Sequence, residues 1–133
     1  MKYLLDTNVC IRFLAGRSIQ LSTKFAEVPA SDKLLCSVVV SELFYGAYRS
    51  QQRERTMANL NAFLSRFISL PFDDAAARAF GEIRATLAAS GTPIGPYDLQ
   101  IAAIALVNNV TLVTHNTGEF SRVASLVLED WEL

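Results

Sequence analysis

The sequence predicts an α/β fold, a three-layer α/β/α arrangement with a central, mostly parallel sheet. Three observations carry this. Short apolar runs of strand length alternate along the chain with stretches whose apolar residues recur at helical spacing. Those runs are apolar at successive positions, the pattern of strands buried on both faces. With 133 residues, 51% of them apolar, the chain can cover such a sheet once and has little left for a second domain, so one domain over residues 1–133 is expected.

In chain order, Lys2 to Leu5 reads as a buried strand that stops at the polar turn Asp6-Thr7-Asn8. Val9 to Leu14 reads as a short helix closed by Gly16. A second helix, Gln20 to Val28, places Leu21, Phe25 and Val28 on one face and ends at Pro29. Leu34 to Val38 is the next buried strand, followed by a helix carrying Glu42, Leu43, Tyr45, Gly46 and Tyr48. Arg53 to Phe67 is amphipathic, with Met57, Leu60, Phe63, Leu64 and Phe67 spaced for one face. Ile68 to Phe72 is a short strand, and Pro71 favours a sheet edge for it. Asp73 can cap a long Ala-rich helix running to about Ser90. Gly91 to Pro96 is the clearest loop. Asp98 opens a helix from Leu99 to Val107, Thr111 to Thr114 is a strand, and His115 to Gly118 is a polar run. A short helix from Glu119 to Arg122 and a strand near Leu126 to Leu128 complete the pattern.

The formal net charge of −1 argues neither for nor against nucleic acid, so any basic surface must be local. Nine of the twelve basic residues are Arg, the side chain suited to phosphate forks. Arg49, Arg53, Arg55 and Arg66 lie between Leu43 and Ile68 against a single acid, Glu54; an ordinary solvated helix face gives the same pattern. Cys10 and Cys36 sit in apolar surroundings without disulfide or zinc spacing, and packed, reduced thiols suit a cytosolic protein. The N-terminus lacks the apolar core of a signal peptide. The longest apolar stretch, Ile101 to Val107, is too short to span a membrane.

The acids fall at telling positions. Asp6 ends the first strand, Glu42 follows the second, and Asn116 with Glu119 follows a later one. Asp98 stands at a helix start after a loop. In open parallel sheets, ligand sites lie outside the carboxyl ends of the strands, so these residues are expected to converge at one edge. Each also has a plain structural reading: a turn for Asp6, a solvated helix face for Glu42, an N-cap for Asp98, a helix-dipole partner for Glu119. Convergence has a cost, since two carboxylates about 4 Å apart repel by roughly 4 kcal/mol at an effective dielectric of 20. Such a set needs protons or a cation, and all-oxygen donors favour Mg²⁺ or Mn²⁺ over zinc. No competing site is expected, because the single His115 and two cysteines cannot supply a zinc set. A carboxylate-held divalent ion suits phosphodiester cleavage.

Four ordered segments then resemble one family. Leu4-Leu5-Asp6-Thr7-Asn8 resembles the first motif of the PIN-domain nucleases, Ser41-Glu42-Leu43-Phe44-Tyr45-Gly46 the second, Gly95-Pro96-Tyr97-Asp98-Leu99-Gln100-Ile101-Ala102-Ala103 the third, and Leu112 to Phe120 the fourth. The ending Leu128-Glu129-Asp130-Trp131 is similar to that of the VapC toxins of VapBC toxin–antitoxin pairs. This resemblance, which spans essentially the whole chain, implies a Mg²⁺- or Mn²⁺-dependent endoribonuclease that stops translation by cutting structured RNA. The target implied is tRNA or ribosomal RNA, and the branch the chain looks nearest to implies the initiator tRNA. It also implies a homodimer, a cognate VapB antitoxin that blocks the pocket, and operator DNA bound only through the toxin–antitoxin complex.

By resemblance the metal-binding carboxylates are Asp6 and Asp98, with Glu42 and Glu119 as further catalytic acids and Thr114 and Asn116 as supports. Arg49, Arg53 and Arg55 are candidate contacts to RNA phosphates, which position a substrate without choosing its sequence. One departure stands out. Many PIN domains have Asp where this chain has Asn116; Asn offers a carbonyl oxygen but no charge, so Glu119 is the candidate for the missing carboxylate, and one tightly held metal is expected. Two other classes remain. A catalytically silent PIN-like binding module would be marked by loss of acids, and all four are present. A phosphoacceptor receiver domain needs a second acid beside Asp6 and a late lysine; Thr7 follows Asp6, and the last lysine is Lys33.

Overall fold

A computed structural model describes all 133 residues. In chain order the elements are β1 (Tyr3–Leu5), α1 (Thr7–Ala15), α2 (Ile19–Glu27), a 3-10 turn (Ala30–Asp32), β2 (Lys33–Cys36), α3 (Ser37–Tyr48), α4 (Arg53–Leu64), β3 (Ile68–Leu70), α5 (Asp74–Ala89), α6 (Pro96–Val107), β4 (Thr111–Val113), α7 (Thr117–Phe120) and β5 (Leu128–Glu129). The five strands form one sheet in the order β3-β2-β1-β4-β5. Every pairing is parallel, with Leu4 opposite both Leu34 and Leu112. The expected α/β/α architecture is therefore present, and β3 lies at an edge, as Pro71 suggested.

The sheet is buried where the apolar runs are. Leu4, Leu5, Leu112 and Val113 have no exposed surface. Helix α6 is buried almost all round, with Leu99 and every residue from Ile101 to Ala105 in the core, which is why its sequence shows no polar face. On another flank, Phe13 of α1 stacks on Phe25 of α2 with ring centroids 3.7 Å apart, and Phe63 and Phe67 close the cluster. The one charge inside the sheet, Lys33, donates from Nζ to the Phe25 carbonyl at 2.6 Å and lies over the Phe25 ring. Burial, reinforced by Arg66, pulls its ammonium below the usual lysine range. No helix is long and apolar enough to cross a membrane.

Three local expectations are corrected. Asp6-Thr7-Asn8 is not a free turn: Asp6 caps α1, which begins at Thr7. The second strand stops at Cys36, because Val38 and Val39 are buried on α3 and tertiary packing outweighs their β-branched preference. The last strand starts later than Leu126, since Ser125 turns with φ 68° before pairing begins.

The strand order reverses between β1 and β4. From β1 the chain moves through β2 to β3 on one side, and β4 with β5 extends the other. The crevice outside the carboxyl ends of β1 and β4 is thus the switch point where such sheets place ligands. Asp6 leaves β1 there and Thr114 leaves β4 there.

Candidate active site

The site is built from the sheet outward. The Asp6 N–H donates to the Val113 carbonyl at 3.0 Å, which holds the end of β1 against β4. The Asp6 carboxylate is buried and held at both oxygens. Oδ1 accepts from the Thr7 N–H at 2.8 Å and Oδ2 from the Thr114 hydroxyl at 2.9 Å. Thr114 has no exposed surface, and its oxygen also accepts from the Asn116 N–H at 3.0 Å. One buried hydroxyl therefore fixes both the Asp6 carboxylate and the chain leaving β4.

Glu42 arrives from α3. Its Oε1 accepts from the Thr7 hydroxyl at 2.7 Å, so Thr7, the first residue of α1, ties Glu42 to the Asp6 corner. Glu119 arrives from α7 and is held at both oxygens: Oε2 accepts from Asn116 Nδ2 at 3.0 Å and Oε1 from the Gly95 N–H at 3.2 Å. Gly95 is the N-cap of α6 and Asp98 lies in that helix's first turn. Asp98 is thus the third residue of the helix rather than its cap. Its carboxylate is half-buried and accepts no hydrogen bond from the chain.

The electrostatics follow. Burial raises the Asp6 carboxyl above the ordinary aspartate value; the Thr114 and Thr7 hydrogen bonds oppose this, and the charges of Glu42 and Glu119 reinforce it. Asp98 is pushed up to about 6, first by burial and then by Asp6, Glu119 and Glu42, and no hydrogen-bond donor faces it to oppose them. Glu119 is held below its ordinary range by the Asn116 amide first and the Gly95 N–H second. The four acids therefore sense one another, as the sequence led us to expect, but they are not equivalent. Asp98 is the strained member, whereas Glu119 is comfortable as an anion.

The donor set suits a hard divalent cation. It is all oxygen, it carries excess negative charge, and Asp98 presents a carboxylate without a partner. No three of the four acids bring oxygens within 4.8 Å of one another, an open spacing that suits an ion retaining several waters, as Mg²⁺ does. Thr114 and Asn116 hydrogen-bond to Asp6 and Glu119 respectively. Of the basic candidates on the α3–α4 corner, Arg49 lies over the Tyr45 ring, Arg53 donates to the Tyr48 carbonyl at 3.1 Å, and all three, Arg55 included, are exposed. Tyr45 and Tyr48 are exposed as well, whereas Phe44 packs on the core and Trp131 is buried. Cys10 and Cys36 are free and buried, and burial raises both thiols, Cys36 to about 11. They are packing residues, inert as nucleophiles.

Sequence reasoning missed one constellation. The trio of ligand-type side chains whose donor atoms do lie within 4.8 Å of one another is His115, Asp130 and Glu132. Counting only His and Cys excluded a second metal-type cluster. The signal was the acidic run at the C-terminus, but only the pairing of β5 with β4 brings it to His115.

Comparison with known proteins agrees with this fold. The PIN domain family model matches residues 3–126. The tRNA(fMet)-specific endonuclease VapC of Shigella flexneri is 41% identical over 131 residues, 98% of each chain. Among solved structures, DNA-bound VapBC from Salmonella typhimurium superposes with a TM-score of 0.92 at 39% identity, covering 98% of both chains. VapBC2 from Rickettsia felis, bound to a DNA fragment from its promoter, superposes at 0.89 with 34% identity, covering 98% of this chain and 99% of that one. On these matches the chain belongs to the PIN-domain family, among its VapC ribonucleases.

Proposed function

We propose that this chain is the toxin of a type II toxin–antitoxin pair, an endoribonuclease that hydrolyses phosphodiester bonds in structured RNA and so inhibits translation. The observation that carries the reading is the carboxylate set at the switch point, in which Asp98 stands unpaired and pushed up to about 6. Relatives named for cleavage of tRNA(fMet) support tRNA as the substrate class and the initiator tRNA as the target. Asp6 and Asp98 would hold one Mg²⁺ or Mn²⁺ ion. When bound, the ion orients the phosphate and offsets the charge that develops during attack.

The protein's own groups divide the remaining work. Thr114 fixes Asp6, and Asn116 fixes Glu119. With both oxygens of Glu119 occupied and its acidity enhanced, this carboxylate suits orientation better than proton transfer. Glu42 keeps one oxygen outside its bond to Thr7 and is the group to take a proton from the attacking water. Water adds to phosphorus, the bridging P–O bond breaks, and the leaving oxygen is protonated from solvent. Arg49, Arg53 and Arg55 contact RNA phosphates beyond the pocket.

The partner is a VapB-type antitoxin. An open apolar groove of about 520 Å³, lined by Ile11, Leu14, Leu43 and Leu60, runs to Glu42, where an inserted segment would cover the acids. The functional unit is a cytoplasmic homodimer of one-domain chains, reaching operator DNA only through the antitoxin complex. Induced expression with mapping of new RNA 5′ ends tests this reading. Ends that accumulate at one position in a tRNA support it, and an unchanged RNA population during growth arrest contradicts it.

A further inference from the structure

A second cluster of ligand-type side chains lies across β4 from the carboxylate pocket. Val113 pairs with Glu129, and the Thr114 N–H donates to the Glu129 carbonyl at 3.0 Å. That register sets Asp130 beside His115, with Nδ1 and Oδ2 2.9 Å apart. The other Asp130 oxygen accepts from the Glu132 N–H at 2.9 Å and turns the chain so that the Glu132 side chain folds back. One donor atom from each of His115, Asp130 and Glu132 then lies within 4.8 Å of the other two.

Burial makes this more than a surface coincidence. The Asp130 and Glu132 side chains are only 8% and 5% exposed, whereas His115 is 60% exposed and leaves the cluster one open side. Arg12 of α1 pairs with one Glu132 oxygen. The other, Oε2, is the one buried side-chain polar atom in the chain without a hydrogen-bond partner. Leaving such an atom unsatisfied is costly, the more so when it is charged. A cation beside it would supply the missing partner.

We propose that His115, Asp130 and Glu132 form a second metal site, of a different kind from the carboxylate pocket. An imidazole with two carboxylates suits a borderline transition-metal ion of the Zn²⁺ class rather than Mg²⁺. Three protein ligands with water in the fourth position make an open tetrahedral site. With metal–ligand bonds of about 2.0–2.2 Å, tetrahedral donors stand about 3.4 Å apart, so side-chain rotation closes the cluster onto an ion. Arg12 cancels one of the two carboxylate charges, which sets the affinity below that of closed structural zinc sites. The bound ion pins the C-terminal segment to the exit of β4, where Thr114 and Asn116 hold Asp6 and Glu119. The site stands on its own geometry and does not depend on the nuclease reading.

The test is titration calorimetry of the full chain with Zn²⁺, and visible absorption of the Co²⁺-loaded protein, in an Asp6→Asn/Asp98→Asn background that silences the other pocket. One Zn²⁺ binds per chain, and Co²⁺ gives the intense visible bands of a four-coordinate ion. His115→Ala and Glu132→Gln each weaken binding by more than about tenfold. His115 is largely solvent-facing, so His115→Ala keeps the parent far-UV circular dichroism. Zn²⁺ binding as tight in either variant as in the parent background overturns the site, as does a parent background that binds no Zn²⁺.

Discussion

Asp98 should be a liability to the ion-free protein. Its carboxyl is pushed from the ordinary 3.8 to about 6. At 1.36 kcal/mol per pKa unit, charging it in the folded protein costs about 3 kcal/mol, or about 2 once the solvent that reaches this half-buried group is allowed for. Its place in the first turn of α6 gives back about 0.3–1 kcal/mol through the helix dipole. Asp98→Asn should therefore stabilise the chain in chelator by about 1–2 kcal/mol. With an unfolding entropy of about 2.1 cal/mol/K per residue, that corresponds to a Tm about 4–7 °C higher. The sign with pH follows from the raised folded value. Between about pH 4 and 6 the native state binds more protons than the unfolded one, so stability falls as pH rises through that window. The advantage of Asp98→Asn should be full at about pH 7.5 and fade as pH falls from about 6 to 4. Thermal melts of both proteins in chelator across this range provide the assay. A variant no more stable than its parent at about pH 7.5, or an advantage that ignores pH, would show that the Asp98 charge does not destabilise the ion-free fold.

Other perturbations follow from the same contacts. Thr114→Val leaves Asp6 Oδ2 and the Asn116 N–H without their buried partner; it should cost about 1–3 kcal/mol in denaturant melts and lower the cleavage rate about 10–100-fold. Mg²⁺ at about 100 times its Kd should stabilise the parent by about 2.7 kcal/mol, and Asp98→Asn should lose most of that gain in thermal shift. Asn116→Ala removes the first cause of the depressed Glu119 value. Because a depressed acid stabilises above its unfolded pKa and loses that contribution as pH falls through its folded one, the variant should be less stable than the parent near neutrality and converge with it in acid. Gly16, which closes α1 at φ +65° with open space around it, should cost about 1–2 kcal/mol as Gly16→Ala from backbone strain alone, read by thermal melting.

Much of the site was legible in the sequence because strand ends are. Apolar runs that stop at Asp6 and at Thr114 mark the carboxyl edge of a parallel sheet, and acids at such an edge have one place to meet. Asn116, with Glu119 three residues on, suggested a substitution of one acid by another, and the structure gives the amide its own task of holding that Glu119. The inequality among the acids was not legible. That Asp98 lacks a donor while Glu119 has two depends on Gly95 and Asn116 meeting across the pocket, 21 residues apart. The helix start at Thr7 was hidden because Asp-Thr-Asn suits a turn and a cap equally, and packing against β4 decided between them. The His115 cluster was invisible for a related reason: its members are brought together by the register of β5 on β4, which a two-residue strand does not announce.

The proposed role of Asp6 and Asp98 is to hold the metal ion on which ribonuclease activity depends. Its most direct test is cleavage of purified initiator tRNA by the parent, Asp6→Asn and Asp98→Asn, each with Mg²⁺ and with chelator. The parent should cleave in Mg²⁺ alone, with cleavage restored when Mg²⁺ replaces the chelator, and neither folded variant should cleave. Parent-like cleavage by both variants, or cleavage that survives the chelator, would contradict that role.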